Sequence, residues 1–412
     1  MSTATATAAS SGAAVHWSAA VSRGGILLAA LILSAGVIRC GLARTLSETN
    51  PLMAAGIAPN DARVLSNAAR IRVEAGEHPN SPGVRSLVRA ALQRDATLTP
   101  AIELRALDLQ AGGDPAGAAR LFDLSHAISR RSLGTHLWLV QHAVERGDVG
   151  HALGEMDFAL RTSTAAPNLI YPALARAAAD PSLAGPIGRL LDHPSDWREQ
   201  FLDYAIGKTG RAQALVPLVL QMRDRAFIRN KGIDGRLIAQ LVEAGAFAAA
   251  ERVQQAFGPS IRPSALIRDA DFSKPQFRYP FGWGLIESAA TWANRDGAKL
   301  HPVLSYGGTS GGVGQVATQL LTLEPGRYRL RAQNAVAPAD PTALPYWTVT
   351  CGGVRPVQIA LVDGATSEDG AAEGDFEVPA GCTGQWLALN LRASDLHDGQ
   401  SGAIRSVSLV RR

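Results

Sequence analysis

The sequence predicts a multidomain chain with an N-terminal transmembrane helix, an all-α helical-repeat solenoid and an all-β sandwich. Three observations predict it. An uncharged run, Gly24 to Ile38 (GGILLAALILSAGVI), stands between Arg23 and Arg39. Two short turns, Gly112-Gly113-Asp114 and Arg146-Gly147-Asp148, recur thirty-four residues apart, each between one apolar helical segment and the next. Alanine is common from residue 54 to 257 and gives way after 270 to Gly, Pro, Thr, Val and aromatics, a shift from helical to β-rich composition.

At 412 residues the chain is too long for one ordinary core. Its formal charge of +4 is small for this length, and the basic residues are spread rather than clustered, which argues against nucleic acid as the partner. Of the three cysteines, Cys40 ends the apolar run, while Cys351 and Cys382 both lie in the β-rich part. Those two can form a disulfide if that part folds in an oxidising compartment; two buried free thiols are the alternative.

Residues 1–22 are Ala, Ser and Thr without periodicity and are expected to be a disordered leader. As a helix, the run from 24 to 38 measures about 22 Å, short of the roughly 30 Å hydrocarbon core, but an arginine at each end can snorkel to the headgroups. Residues 23–43 are therefore expected to be an anchor. A cleaved signal peptide competes, with Gly41-Leu42-Ala43 as a small-x-small site, but the leader is long and weakly charged for that. Either reading exports the rest, so the expected location is the inner membrane, single-pass, with the bulk periplasmic.

A spacer, 44–59, leads into the array. Asn60 or Asp61 can cap a first helix to about Ala75, and Glu74-Ala75-Gly76-Glu77 is a looser copy of the two turns. After a Pro-rich insertion, His78 to Pro82, the helix Val84 to Arg94 restores the period. Thr99 is expected to cap the next helix ahead of Pro100, and Asp114-Pro115 repeats that start for its partner. Leu121, Phe122, Leu124 and Ile128 then supply a buried face, and Leu137, Leu139, Val140, Leu153, Met156 and Leu160 the next one. Weaker copies end at Gly210 and Gly245. A period of this length marks stacked helical hairpins, since one pair cannot bury its apolar face alone.

With the glycines placed at the inter-helix turn, residues 60–257 resemble tetratricopeptide repeat proteins. Ala106, Ala118 and Ser125 in one unit, and Ala152 and Ala159 in the next, stand where that family's helices cross closely. The family's signature Trp and Tyr of the first helix are missing, and no Pro closes these units.

Residues 258–269 (GPSIRPSALIRD) are expected to be a linker. From 270 to 412 the signals are short alternating runs bounded by Gly and Pro. The expected strands are Phe281 to Glu287, Lys299 to Tyr306, Val316 to Leu323, Tyr328 to Gln333, Tyr346 to Cys351, Val357 to Val362, Asp375 to Val378, Gln385 to Arg392 and Ile404 to Val410. Eight or nine strands fit a two-sheet sandwich. The stretch from Gln319 to Leu330 (QLLTLEPGRYRL) and the closing strand Ile404 to Leu409 resemble jelly-roll carbohydrate-binding modules. The resemblance implies a jelly-roll-like sandwich that binds glycan. The closing strand lacks the acidic residue often found there, so no calcium site is carried over.

Sugar recognition needs flat aromatic faces and nearby polar groups. Strand parity places Trp347 with Val349 and Cys351 in the core, and Tyr346 on the other face with two threonines. Leu387, Leu389 and Leu391 form a core face, so Trp386 and Asn390 point away from it. Trp283 alternates with Phe281 and Leu285 as a core set. Trp292 falls in an expected loop and could serve as a platform. Trp292, Tyr346, Trp386 and Asn390 are thus the candidate carbohydrate-binding residues. Arg327, Arg329 and Arg331 line one face of a strand and could meet an acidic polysaccharide through paired hydrogen bonds; a solvated face that discourages aggregation is the alternative.

Gly307 to Gly314 (GGTSGGVG) superficially matches a dinucleotide loop, but no βαβ unit surrounds it, and a sandwich loop is expected. No H-E-x-x-H, G-x-S-x-G or Walker motif occurs. The nine histidines show no metal-ligand spacing, and His151 with Glu155, one helical turn apart, is expected to be a surface pair. No catalytic residue, cofactor or metal is therefore expected. The expected role is a membrane-anchored, outward-facing, non-catalytic scaffold of the bacterial cell envelope. Its array binds a protein partner and its sandwich glycan, as in polysaccharide assembly or export. A pure protein-interaction platform is one alternative. A glycan-acting hydrolase is another, drawing on Glu287, Asp363, Glu373 or Asp375.

Overall fold

The computed structural model describes residues 33–47, 49–208, 210, 212–259, 266–297, 301–353, 355–364 and 370–412. It shows a helical array followed by a two-sheet β-sandwich. The expected leader and most of the apolar run, residues 24–32, lie outside the described residues. Residues 33–47 are helical (α1). Among the described residues no helix is long and apolar enough to cross a membrane. The chain divides into two compact units, Met1–Ala166 and Pro167–Arg412.

The first unit continues with α2 (Pro51–Ile57), α3 (Ala62–Glu74), α4 (Pro82–Arg94), α5 (Thr99–Ala111), α6 (Pro115–Ile128), α7 (Leu133–Glu145) and α8 (Val149–Thr162). Helices α3/α4, α5/α6 and α7/α8 pack as hairpins. One local device closes each first helix. Gly76, Gly113 and Gly147 have φ of +93°, +87° and +72°, a left-handed conformation that glycine adopts without a Cβ clash. Each glycine N–H bonds the C2 carbonyl, and the next residue's N–H reaches back to C3, as from Asp114 to Leu109 and from Asp148 to Ala143, both 2.9 Å. The Asp114 and Asp148 side chains then accept from Gly117 and His151 N–H, so one residue ends a helix and starts the next.

Ala106, Ala118, Ser125, Ala152 and Ala159 are all buried. Two sequence expectations change here. Leu124 and Ile128 are 46% and 41% exposed, because at 100° per residue they lie about 160° and about 120° around the helix from Phe122, which holds the inner stripe with Ala118 and Ser125. The cap of α5 is Leu98 rather than Thr99, without a side-chain bond, since Asp95 takes Thr97 N–H and turns the chain one residue earlier. Polar ties add to the packing. Buried Asp108 of α5 holds Arg85 of α4 at 2.7 Å and Arg105, and Glu103 accepts from Ser125, Ser132 and Thr135.

The second unit holds α9 (Ala166–Ala178), α10 (Pro181–Asp192), α11 (Trp197–Lys208), α12 (Ala212–Gln221), α13 (Arg225–Asn230), α14 (Ile233–Glu243) and α15 (Phe247–Phe257), then the sandwich. The α14–α15 turn repeats the glycine device at Gly245. The sandwich strands are β1 (Gly284–Leu285), β2 (Thr291–Asp296), β3 (Val303–Gly308), β4 (Gly314–Leu321), β5 (Gly326–Val336), β6 (Tyr346–Cys351), β7 (Val357–Asp363), β8 (Ala372–Val378), β9 (Gln385–Leu391) and β10 (Gln400–Arg411). They form two five-stranded antiparallel sheets, β1-β4-β9-β6-β7 and β2-β3-β10-β5-β8. Trp283, Trp347, Tyr328, Leu330, Leu387 and Leu389 lie in the core between them.

Trp292 lies not in a loop but on β2, a strand that the sequence conceals because only Thr291 and Ala293 of TWANRD turn inward. The sandwich also packs directly on α15. The Phe247 ring seats against Gly352 and Gly384, where any Cβ would collide with it, and Arg268 reaches Glu251 at 3.1 Å. Of the expected linker, 260–265 lies outside the described residues. Cys351 and Cys382 are bonded, with Cα atoms 5.6 Å apart.

Candidate functional site

Strand register assembles the site on the outer face of the β1-β4-β9-β6-β7 sheet. Gly284, Thr318, Ala388 and Thr348 stand side by side on four adjacent strands. These short side chains make a trough floor. The next row on one side is Leu320, Trp386 and Thr350, and on the other Gln315, Asn390 and Tyr346. Tyr279, Gln315, Thr318, Thr348, Thr350, Trp386 and Ala388 line an open depression of about 320 Å³.

Tyr279 completes one wall from outside the sheet. Its ring lies near-parallel to Trp386, at 22° with centroids 5.9 Å apart, and it is 60% exposed. The segment that carries it is fixed at both ends. Buried Gln319 accepts from Arg268 N–H (3.1 Å) and donates to Arg268 O (2.8 Å), and Leu320 N–H donates to Pro280 O at 2.7 Å. Gly284 leaves room for the ring, since a Cβ there would come within 2.5 Å of Tyr279 Cδ2.

The lining is uncharged: the rings of Trp386 and Tyr279, the Gln315 amide, the Tyr279 phenol and three threonine hydroxyls, of which buried Thr318 donates to Leu387 O. Asn390 Nδ2 donates to Thr348 Oγ1 at 3.1 Å and orients it. Aromatic faces take the C–H side of a pyranose, and amides and hydroxyls take its OH groups, so this set suits a neutral sugar ring.

Three of the sequence candidates, Trp386, Tyr346 and Asn390, share this face, but only Trp386 lines the depression. The Tyr346 ring is covered by the Arg392 guanidinium, 4.5 Å from its centroid. Trp292 is on the outer face of the other sheet, laid across Gly307. Arg327, Arg329 and Arg331 are also on that sheet and pair across to β8: Arg327 with Glu377 (3.6 Å), Arg329 with Asp375 (2.6 Å) and Glu373 (2.9 Å), and Arg331 with Glu373 (2.8 Å). The hydrogen bonds from Arg329 hold the Asp375 carboxyl below the usual carboxylate range, and the same bonds raise Arg329. The row is a charge-paired ladder rather than an open cationic surface.

Sequence reasoning missed Tyr279, which sits in a loop where parity says nothing. It did place two threonines with Tyr346, and these are Thr348 and Thr350. It also missed a constellation in the first unit. His126, His136 and Glu155 converge so that one donor atom of each lies within 4.8 Å of the others. Helix packing brings these three together although they lie far apart in the sequence, and Glu155, still 4.0 Å from His151, is buried rather than on the surface.

No protein-family model matches the chain, and no curated protein matches it. Among solved structures it is similar to the carbohydrate-binding module TmCBM61, described in complex with beta-1,4-galactotriose. That likeness has 11% identity and a TM-score of 0.24, over 36% of this chain and 99% of that one. It is also similar to BtGH115A, a family GH115 4-O-methyl-alpha-glucuronidase with specificity for decorated arabinogalactans. Here identity is 11% and the TM-score 0.19, over 74% of this chain and 48% of that one, so the chain spans about half of that enzyme's length. At these TM-scores neither likeness carries a functional argument.

Proposed function

We propose that this chain is a non-catalytic scaffold of the bacterial cell envelope whose sandwich binds a neutral polysaccharide in the Trp386–Tyr279 trough. The single observation that carries the reading is that trough: an aromatic pair beside a floor of small residues, with hydroxyl and amide groups along it. An uncharged lining favours neutral glycan over the acidic polysaccharide that the arginine row suggested. It also favours binding over hydrolysis. Glu373 and Asp375 sit instead in ion pairs on the other sheet, and Asp363 pairs with Arg392.

The tetratricopeptide-like array holds a protein partner, and residues 24–38 anchor the chain in the inner membrane with its bulk in the periplasm. Four exposed apolar side chains of α1, Leu33, Val37, Ile38 and Leu42, support the anchor, and the Cys351–Cys382 bond supports an oxidising compartment. Polysaccharide assembly or export is the process that unites these roles.

Affinity-gel electrophoresis of the full-length protein tests the sugar half. Mobility should fall on a neutral glucan or galactan gel and recover in Trp386→Ala. No retardation on any polysaccharide, or retardation that survives Trp386→Ala, would sink it. The seating of Phe247 against Gly352 and Gly384 favours a second reading, in which the sandwich caps the last helix of a pure protein-interaction platform. Crosslinking in the envelope separates the two: a recurrent protein partner without glycan adducts supports the platform.

A further inference from the structure

Three consecutive helices of the first unit meet at a buried polar point. His126 comes from α6, His136 from α7 and Glu155 from α8; His136 is fully buried and Glu155 is 5% exposed. The two ring nitrogens of His136 are both engaged. Nε2 faces the Arg130 carbonyl oxygen at 2.9 Å, and Nδ1 faces Glu155 Oε2 at 2.6 Å.

A carbonyl oxygen only accepts, so Nε2 carries a hydrogen. An ionised carboxylate also only accepts. A neutral His136 would then aim its Nδ1 lone pair at the lone pairs of Glu155. At 2.6 Å the contact is a short hydrogen bond, and the cation that lies between the two atoms is a proton.

His126 adds what that proton leaves unexplained. Its Nδ1 is buried and has no hydrogen-bond partner, a condition that native interiors rarely leave unexplained. A proton between His136 and Glu155 leaves that nitrogen orphaned. A metal ion can draw one donor atom from each of the three residues, since those atoms already lie within 4.8 Å of one another. The Nε2–H bond to a backbone carbonyl is the outer-shell arrangement that orients a metal-bound imidazole. One turn before Glu155, half-exposed His151 places Nε2 4.0 Å from Glu155 Oε1.

We propose that His126, His136 and Glu155 bind a divalent first-row transition-metal ion, with zinc(II) the best match to two imidazoles and a carboxylate. Binding releases to solvent the proton shared by His136 Nδ1 and Glu155 Oε2, and the two atoms part to roughly 3 Å or more so that each can sit about 2.0–2.2 Å from the ion. Bound there, it cross-links α6, α7 and α8 and fixes the register of the array. This site is independent of the glycan reading, since it lies in the other unit.

The test uses full-length protein stripped with a chelator and titrated with zinc chloride in buffers of different ionisation enthalpy. The expected result is one zinc per chain with release of about one proton. His126→Ala leaves the His136–Glu155 contact in place, so it should keep the metal-free thermal midpoint while zinc affinity falls about tenfold or more. Glu155→Gln, which keeps side-chain size, should weaken zinc comparably. X-ray absorption of the loaded protein should show two imidazoles. No stoichiometric binding, equal affinity in His126→Ala, or a zinc shell without imidazole would overturn the proposal.

Discussion

The two outer faces of the sandwich use similar raw material to opposite ends. On the β8-β5 side, arginines and carboxylates alternate with period 2 on neighbouring strands and meet across the ladder, so Arg327, Arg329 and Arg331 spend their donors on Glu377, Asp375 and Glu373. On the β4-β9-β6 side, Trp386 and Tyr279 stack on each other but keep an open edge over threonines and an amide. A recognition surface is one that leaves ring edges and some hydrogen-bonding groups open to solvent after its internal contacts are made. Charge and aromatic content alone do not distinguish the two faces; partners do.

The sheets are also tied differently, and removing the tie gives the largest expected effect. The Cys351–Cys382 bond joins the end of β6 to the segment entering β9, the two strands that carry Thr348, Thr350 and Trp386. It closes a loop with a sequence separation of 31. Loop-closure entropy at that length corresponds to about 3–4 kcal/mol. Replacing both cysteines by serine should lower the denaturant midpoint of the second unit accordingly, and a change near zero would show that the remaining packing already holds those strand ends together.

Trp386→Ala comes next. Stacking on one indole is worth about 0.5–1.5 kcal/mol beyond area burial, so glycan affinity should fall roughly tenfold with little change in thermal midpoint. Trp292→Ala, on the other sheet, should leave affinity unchanged. Equal losses from both would erase the distinction between the faces. Gly284→Ala sharpens it further: the added Cβ displaces Tyr279 from Trp386, and retention should fall to between wild type and Trp386→Ala. Tyr279→Ala should match that retention without altering β1. If Gly284→Ala binds as wild type, the Tyr279 wall is dispensable.

What could be read from sequence follows the range of the interaction. The Gly-Asp turns were fully legible, because the left-handed glycine, its two backbone bonds and the aspartate cap all lie within about one helical turn of each other. The face of Trp386 and Asn390 was legible because side-chain alternation is built into strand geometry. Tyr279 was not, since it reaches the site from a loop held by Gln319 and Leu320. The arginine row was visible, as were Glu373 and Asp375, but their pairing depends on β5 lying beside β8, a matter of sheet order. His126, His136 and Glu155 meet only because three helices pack. The contact of Phe247 with the sandwich was equally hidden, because a composition shift marks a change of secondary structure and not the edge of a compact unit.

The smallest effect belongs to the ladder and isolates it from the trough. Arg329 holds the Asp375 carboxyl below its ordinary value, chiefly by direct hydrogen bonds. A depressed folded value means that the pairing stabilises the fold above the unfolded carboxylate pKa, about 3.9, and that this is lost as pH falls through the folded value. Arg329→Ala should therefore be slightly less stable than wild type at neutral pH, with the gap closing in acid below about pH 4. Both groups are exposed, so solvent and salt screening keep the gap small, and added salt should narrow it. Polysaccharide retention of Arg329→Ala should equal that of wild type. A loss of retention would mean that the ladder face touches glycan after all, with its ion pairs opening on contact, and the division of labour between the two sheets would have to be redrawn.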